Sequence, residues 1–430
     1  MSDKQIAFVR TEMLPEQEPP ATERGVIKWV RENLFPDVLN SILTLVALFF
    51  IYKIVSGAWP WFANGIWGTS SLSECREILQ GGVGACFSVL AERWNQLLFG
   101  FTYPATEYWR PTMAFLLLFI AAAPLLFAMY VPRKVLYFTA LYPFIAFYLI
   151  WGGTIIAPLF GLFGFVAAAL VFPRAERAVG FAAALGSSFV AALVVWAIGG
   201  MIAGAMPGFL ALEAVPSRDM GGFMLNFILG TVCVSLSLPI GIVLALGRQS
   251  RMPIIKWICV VFIEFIRGVP LITLLFVANV VLAYFLPPGT NFDLILRVII
   301  MITLFSSAYI AEVIRGVLAA LPRGQYEAAD SLGLDYAQSM RLIIMPQALK
   351  ISIPGIVNVA VGLFKDTTLV SVISMFDLVG MIRGPILAST EWNGVYWELW
   401  GFAILMFFPV CYGISQYSQW LERQLATDHR

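Results

Sequence analysis

Charge is scarce in this 430-residue chain: Asp, Glu, Lys and Arg together make 12%, against 60% hydrophobic residues. A water-soluble domain carries roughly 25% charged and about 45–50% apolar residues. A soluble fold of this length is therefore excluded, and the chain reads as an all-α polytopic inner-membrane protein. The mean hydropathy of +0.84 agrees. Basic and acidic residues number 27 and 26, so the net charge of +1 offers no surface for nucleic acid. Histidine is reduced to one, His429 in the C-terminal tail. A zinc site draws on several ligands, so no metal is expected, and no paired carboxylates mark an active site. No GxxxxGK[ST] phosphate loop occurs, so this chain is not an ATPase. Cysteines number five. Cys233, Cys259 and Cys411 sit in apolar runs, where thiols pack as small hydrophobes. Cys75 and Cys86 sit in a more polar stretch; they pair if residues 59–110 face an oxidising compartment and are otherwise two free thiols.

Long apolar runs are what the chain has in abundance. A spanning helix needs about 20 apolar residues, and windows of that kind fall at 38–58, 112–131, 135–152, 155–172, 180–205, 222–247, 262–286, 294–318, 350–373 and 398–418. The run 135–172, punctuated by Gly152, Gly153 and Pro158, reads either as a tight hairpin of two spans or as one span plus a re-entrant piece. Basic residues settle orientation. They cluster in alternate connections, at Arg133 and Lys134, Arg174 and Arg177, Arg248, Arg251 and Lys256, and Arg323, Arg341 and Lys350. Ten spans keep that alternation in phase and put both termini in the cytoplasm. Residues 1–37 begin polar and rich in Pro and Glu, without a signal-peptide pattern, and are expected to form a disordered cytoplasmic tail. Residues 38–205 form an N-terminal extension with one long outer loop, 59–110. Residues 221–430 carry five spans, most of the intramembrane charge and the Gly–Pro breaks. Trp59, Trp61, Trp109, Trp392, Trp397 and Trp400 fall at predicted interfaces, as an aromatic belt does.

One polar elbow interrupts the apolar text: GQYEAADSLGLDYAQSMRLIIMPQALK, residues 324–350, within a cytoplasmic loop of 320–348. Pro322 suits the first turn of a short helix. Gly333 suits the left-handed residue that closes it, with Leu334 beyond. Asp335 and Gln338 are spaced as a capping box for a second helix, which Pro346 then interrupts. Ala328 and Ala329 offer a shallow face, with Glu327 and Asp330 beside it. A loop that merely joins two spans needs only a few residues; this one is longer and capped, and reads as a docking element.

Glu327-Ala328-Ala329, Gly333, Ile343 and Pro346 match the pattern E-A-A-x3-G-x9-I-x-L-P, with Met345 in place of leucine. That pattern resembles the EAA signature of bacterial ABC importer permeases. The stretches AYIAEVIRGVLAALPRGQYEAADSLGL, FIEFIRGVPLI and GLFKDTTLVSVISMFDLVG resemble permeases of polar amino-acid importers. The extended N-terminal half resembles the M-type (Aap) and C-type (Bzt) subunits of general L-amino-acid and glutamate/glutamine/aspartate/asparagine importers. The resemblance is close over residues 221–430 and loose before them. It implies a five-span type I permease core and an EAA elbow seated in a cleft of an ATP-binding subunit. The expected partners are a second homologous permease, two ATP-binding subunits that carry ATP and Mg, and a periplasmic amino-acid-binding protein, with an L-amino acid as substrate. The length of loop 59–110 offers it as a contact for the binding protein.

Ionisable groups within spans are costly and usually face a cavity or a partner. Glu264 and Arg267 are three apart and can pair on one helix face; Gly268 and Pro270 should end an interfacial helix there, a hinge at the cytoplasmic entry. Glu312 and Arg315 are spaced alike, with Ser306, Ser307 and Tyr309 deeper in the bilayer. These suit helix packing or a pathway lining. Lys365, Asp366 and Thr367 lie in the outer half of 350–373, with Asn358 close to the face of Lys365. Groups of both signs suit a zwitterionic substrate; the alternative is an ion pair between permease subunits. A secondary transporter or channel driven by an ion gradient would explain the buried charges and leave the elbow without a purpose.

Overall fold

A computed structural model of the chain describes residues 25–127, 130–281 and 292–425. The described residues are helical, without a strand among them. Among the described residues nine helices are long and apolar enough to cross a membrane, and ten spans result if the bent pair Pro253–Gly268 and Leu271–Val280 counts as one. Each of the ten sequence windows falls on one of these spans. The far end of 262–286, beyond 281, lies outside the described residues, as do the first 24 residues and His429.

By compactness the chain forms two units, Met1–Ile66 with Cys75–Cys86, and the remainder. In the first, α1 (Gly25–Leu34) occupies part of the expected disordered tail. Helix α2 (Val38–Ala63) starts on Asp37, whose carboxylate accepts the Asn40 N–H at 2.8 Å, and none of its residues is buried. Cys75, on α3 (Leu72–Leu79), is joined to Cys86 by a disulfide with Cα atoms 6.0 Å apart. The Ala85 N–H donates to the Trp61 carbonyl at 2.9 Å.

The second unit holds α4 (Ser88–Glu92), α5 (Trp94–Phe99), α6 (Trp109–Leu126), α7 (Leu136–Trp151), α8 (Ile156–Val179) and α9 (Phe181–Ala205). The ambiguous run 135–172 is two helices. Gly152 and Gly153 turn the chain between them at φ +71° and +80°, a region that side chains with a Cβ rarely enter. A Cβ on Gly152 would also stand 2.1 Å from the Glu213 carbonyl oxygen. Helices α8 and α9 pack closely where Trp196 lies on Gly164 and donates its indole N–H to the Gly161 carbonyl at 3.1 Å.

The linker 206–221 is stitched to this extension. Gly153 and Leu212 exchange backbone bonds at 3.0 and 3.1 Å, and the Val215 N–H donates to Trp151 at 2.8 Å. Arg110, fully buried, donates to the carbonyls of Leu149 at 2.7 Å and Glu213 at 2.8 Å. Tyr103 donates to the Ile150 carbonyl at 3.1 Å, and burial pushes its phenol up to about 12. These bonds hold residues 212–215 against the extension, and residues 87–430 fall in one compact unit. Trp392, expected in an aromatic belt, is fully buried in the segment between the last two spans.

The remaining helices are α10 (Gly222–Arg248), α11 (Pro253–Gly268), α12 (Leu271–Phe276), α13 (Leu294–Ala320), α14 (Arg323–Ser331), α15 (Tyr336–Ser339), α16 (Met345–Asp366), α17 (Leu378–Met381) and α18 (Tyr396–Leu425). Lipid tails are as apolar as leucine, so burial in a bilayer supplies little drive for helix association, and close van der Waals fit must supply it. Small residues provide that fit. Ser306, Ser307, Ala308 and Ala311 are buried on α13, and Gly241 of α10 admits Ile310 so closely that an added Cβ would lie 2.7 Å from it. One apolar cluster gathers Leu225, Leu229, Ile302 and Leu363; a second gathers Ile263, Ile266, Ile314, Ile344 and Ala348 below the elbow.

Candidate coupling elbow and intramembrane charges

The elbow is built by four local devices. Leu321 is extended (φ −63°, ψ 138°), as the residue before a proline tends to be, and this ends α13. Pro322 then stands just outside α14 as its N-cap, one position before the first-turn place expected. At the other end Gly333 has φ +70°. Its N–H donates to Asp330 at 2.9 Å, and the Leu334 N–H donates to Ala329 at 3.2 Å. That pair of bonds is the Schellman closure of a helix. Asp335 accepts the Gln338 N–H at 2.8 Å, and Gln338 accepts the Asp335 N–H at 3.1 Å, a complete capping box.

Two expectations about the elbow are corrected. Pro346 does not interrupt: Tyr336–Ile373 runs as one helical stretch, so the span expected from 350 begins in the elbow itself. The turn Met340–Ile344 is a wide π-turn, and Pro346 sits in the first turn of α16 that follows, where its missing N–H does least harm. Ala329 is fully buried, whereas Glu327, Ala328 and Asp330 are exposed, so the two alanines do not share one open face. The exposed side of the elbow also carries Leu332, Tyr336 and Leu342. Gln347 at the foot of α16 donates to Gln325 of α14 at 3.1 Å, which ties the elbow to the span. Burial pushes the Tyr326 phenol up.

The charges at the elbow-side ends of α10, α11 and α13 form one network across three helices. Glu264 and Arg267 do not pair with each other. Glu264 lies 2.7 Å from Arg248 of α10, and Arg267 lies 3.8 Å from Glu312 of α13. Residues i and i+3 share a face, but both side chains here reach across to opposite charges on neighbouring helices. Arg248 is also 3.5 Å from Glu312. Its Nη1 touches both carboxylates without the alignment of a hydrogen bond. Arg315 clasps Glu312 through Nε at 2.9 Å to both carboxylate oxygens and Nη2 at 2.6 Å. The Arg267 guanidinium also lies over the Tyr309 ring, 5.5 Å from its centroid. Gly268 and Pro270 end α11 as expected, with Val269 extended before the proline, and the chain bends by 103° into α12.

The remaining pathway candidates separate. Asn358 and Lys365 are exposed on α16, seven residues apart and so on nearly one face, with Asp366 half-buried beside them. Among the described residues Lys365 forms no ion pair. Ser306 is buried against neighbouring helices rather than on an open face. Thr367 is fully buried in a polar knot: the Asn226 side-chain amide donates to Thr367 Oγ1 at 2.9 Å and to Asp377 at 3.0 Å. Asn226 in turn accepts the Leu378 N–H at 3.2 Å, and Asp377 caps α17 by accepting the Gly380 N–H at 2.9 Å.

Comparison with known proteins shows the family. Residues 237–425 match the family described as binding-protein-dependent transport system inner membrane component. Along its whole length the chain is 51% identical to the glutamate/glutamine/aspartate/asparagine transport system permease protein BztC of Rhodobacter capsulatus, covering 100% of each chain. The chain belongs to the amino-acid ABC transporter permeases. The permease is also 36% identical to the inner membrane amino-acid ABC transporter permease protein YhdY of Escherichia coli, over 93% of each. A solved amino acid ABC transporter with histidines aligns with 47% of the permease and 92% of its own chain, at 31% identity and TM-score 0.42.

Sequence reasoning missed Arg248 and Asn226 as site residues. Arg248 was read only as a topology marker at a loop. Asn226 is a lone amide in LNFILG at the start of a span, and the rule that intramembrane polar groups find partners could have flagged it. Asp377 lies within the family-like stretch GLFKDTTLVSVISMFDLVG, where nothing nearby in sequence marks it as the partner of Asn226.

Proposed function

We propose that the permease is one subunit of an ATP-driven importer that moves polar L-amino acids, glutamate, glutamine, aspartate and asparagine foremost, across a bacterial inner membrane by alternating access. It pairs with a second, homologous permease. Two separate ATP-binding subunits hold ATP and Mg, and a periplasmic amino-acid-binding protein delivers substrate on the outer side. Both termini lie in the cytoplasm. Helices 222–425 form the five-span transport core, and residues 38–205 with the loop 59–110 form an extension that strengthens assembly or meets the binding protein. Glu327, Ala328 and the exposed apolar residues of the elbow meet the ATP-binding subunit. Asn358, Lys365 and Asp366 lie on the substrate side of α16.

The observation that carries this reading is the elbow. Its two short helices are joined by a Schellman closure at Gly333 and a capping box at Asp335, and it is tied by Gln325 and Gln347 to its span and continuous with α16. A segment so built transmits a partner's motion as a tilt of α13 and α16 rather than absorbing it. The full-length similarity to amino-acid permeases supports the substrate class. The test is purification from the native membrane followed by uptake in liposomes. The expected result is co-elution with an ATPase, and uptake that needs ATP and ignores collapse of the proton gradient. Uptake by the chain alone, driven by an ion gradient, overturns the proposal.

A further inference from the structure

Resting on that reading, we infer that Glu312 is a positioning residue: the hub of an ionic latch that binds the interfacial helix α11 to α10 and α13, so that motion of the elbow drags α11 and the 103° bend behind it. Three facts converge on Glu312. It is only 22% exposed and is met by arginines from all three helices, Arg315 at 2.6 Å, Arg248 at 3.5 Å and Arg267 at 3.8 Å. Glu264 on α11 closes the circuit to Arg248 at 2.7 Å. Arg267 is further fixed over Tyr309, one helical turn before Glu312.

The placement gives the latch its purpose. Helix α13 runs from this cluster directly to Leu321 and Pro322, where the elbow begins. Helix α11 is bound to α13 on its inner side by Ile263 and Ile266, while Ile254, Trp257, Ile258, Val261 and Phe265 are exposed on its other sides. Apolar contact between helices holds weakly in a membrane. The ion pairs supply the directional grip, and beyond α11 the chain bends at Val269–Pro270 into α12. Three arginines and two glutamates leave the cluster at +1. Removing the Glu312 charge leaves Arg267 of α11 without its partner on α13 and facing the like charge of Arg315, so the ionic grip of α11 on α13 is lost while Glu264 still holds α11 to Arg248 of α10.

The experiment uses the complete importer in liposomes, with binding protein added or withheld. Glu312→Gln is expected to raise ATP hydrolysis in the absence of binding protein about tenfold, the response to losing about 1.4 kcal/mol of latch. Substrate moved per ATP falls, and the substrate KM stays unchanged. Glu264→Gln, at a half-exposed site that folding tolerates, is expected to shift the same quantities less. Adding Arg267→Gln to Glu312→Gln relieves the repulsion and brings hydrolysis part of the way back, which a merely structural role would not do. A changed KM with intact coupling makes Glu312 a substrate contact and overturns the latch; unchanged coupling in both single variants overturns it too. A readout free of transport separates this from failure of the function itself. Spin labels at Lys256→Cys on α11 and Gly316→Cys on α13, with Cys259 and Cys411 replaced by serine, should show a broadened distance in Glu312→Gln. An unbroadened distance counts against the latch even where uptake is never observed.

Discussion

Gly333→Pro is expected to abolish import while leaving ATP hydrolysis running. Gly333 stands at φ +70°, and proline is locked near −65°. The substitution also removes the N–H that donates to Asp330, and it displaces the Leu334 N–H from Ala329. The Schellman closure therefore opens, and α14 loses the fixed angle it makes with α15. Loss of the cap alone is modest: Asp335→Ala, which removes the other cap, costs about 1 kcal/mol and should lower uptake only in part. Under the proposed function, the larger effect of Gly333→Pro comes from direction, because a swivelling elbow would no longer convert a partner's closure into helix tilt. Glu327→Lys makes the same point without touching the fold. Glu327 is exposed, so its reversal should leave expression and melting unchanged and still separate hydrolysis from uptake. Uptake and phosphate release measured together decide this, and normal uptake by both variants removes the elbow from the mechanism.

The elbow was legible because each of its parts is a local device. A positive-φ glycine, a capping box and an X–Pro end depend on residues within a few positions of one another. The spans were legible for a similar reason, since apolar length and basic loops are read along the chain. Even Gly152 and Gly153 marked where the run 135–172 would double back. What was not legible depended on neighbours in space. The spacing of Glu264 and Arg267 suggests an intrahelical pair, yet each finds a charge on another helix, because the α10, α11 and α13 ends converge there. Ala328 and Ala329 are adjacent in sequence and about 100° apart around α14, so one faces outward and the other inward. Pro346 looks like a break until the π-turn ahead of it absorbs the missing bond. The alternation of basic loops gave Arg248 a reason to exist that concealed its contacts with Glu264 and Glu312.

Asn226→Leu should destabilise the permease core, and its cost should grow with pH. Asp377 is fully buried, and its hydrogen-bond partners are all donors: Asn226 at 3.0 Å, Gly380 at 2.9 Å and Val379 at 3.3 Å. Burial pushes its carboxyl up to about 6, with the Asn226 amide the first of the donors opposing that rise. The folded protein thus holds this proton more tightly than an unfolded chain, whose carboxyl titrates near 4. Protonation of Asp377 therefore contributes stability that is full below about 4 and is lost as pH rises through about 6, an amount on the order of 3 kcal/mol. Leucine at 226 removes the donor and drives the carboxyl higher still. At pH 8 the carboxylate is then buried with two backbone donors alone, and losing the bond from Asn226 to that charge costs about 1.5–3 kcal/mol beyond the orphaned Leu378 N–H. At pH 5 the neutral acid needs no such donor, and the cost falls to that of an unaccompanied Leu378 N–H, about 1–3 kcal/mol, since Thr367 still donates to the Phe364 carbonyl at 2.7 Å. Melting of the detergent-solubilised wild-type and Asn226→Leu proteins at the two pH values measures the difference. Equal losses at pH 5 and pH 8 would mean that Asp377 stays ionised throughout, held by its backbone donors, and that Asn226 serves to fix the end of α10 rather than to carry a buried charge.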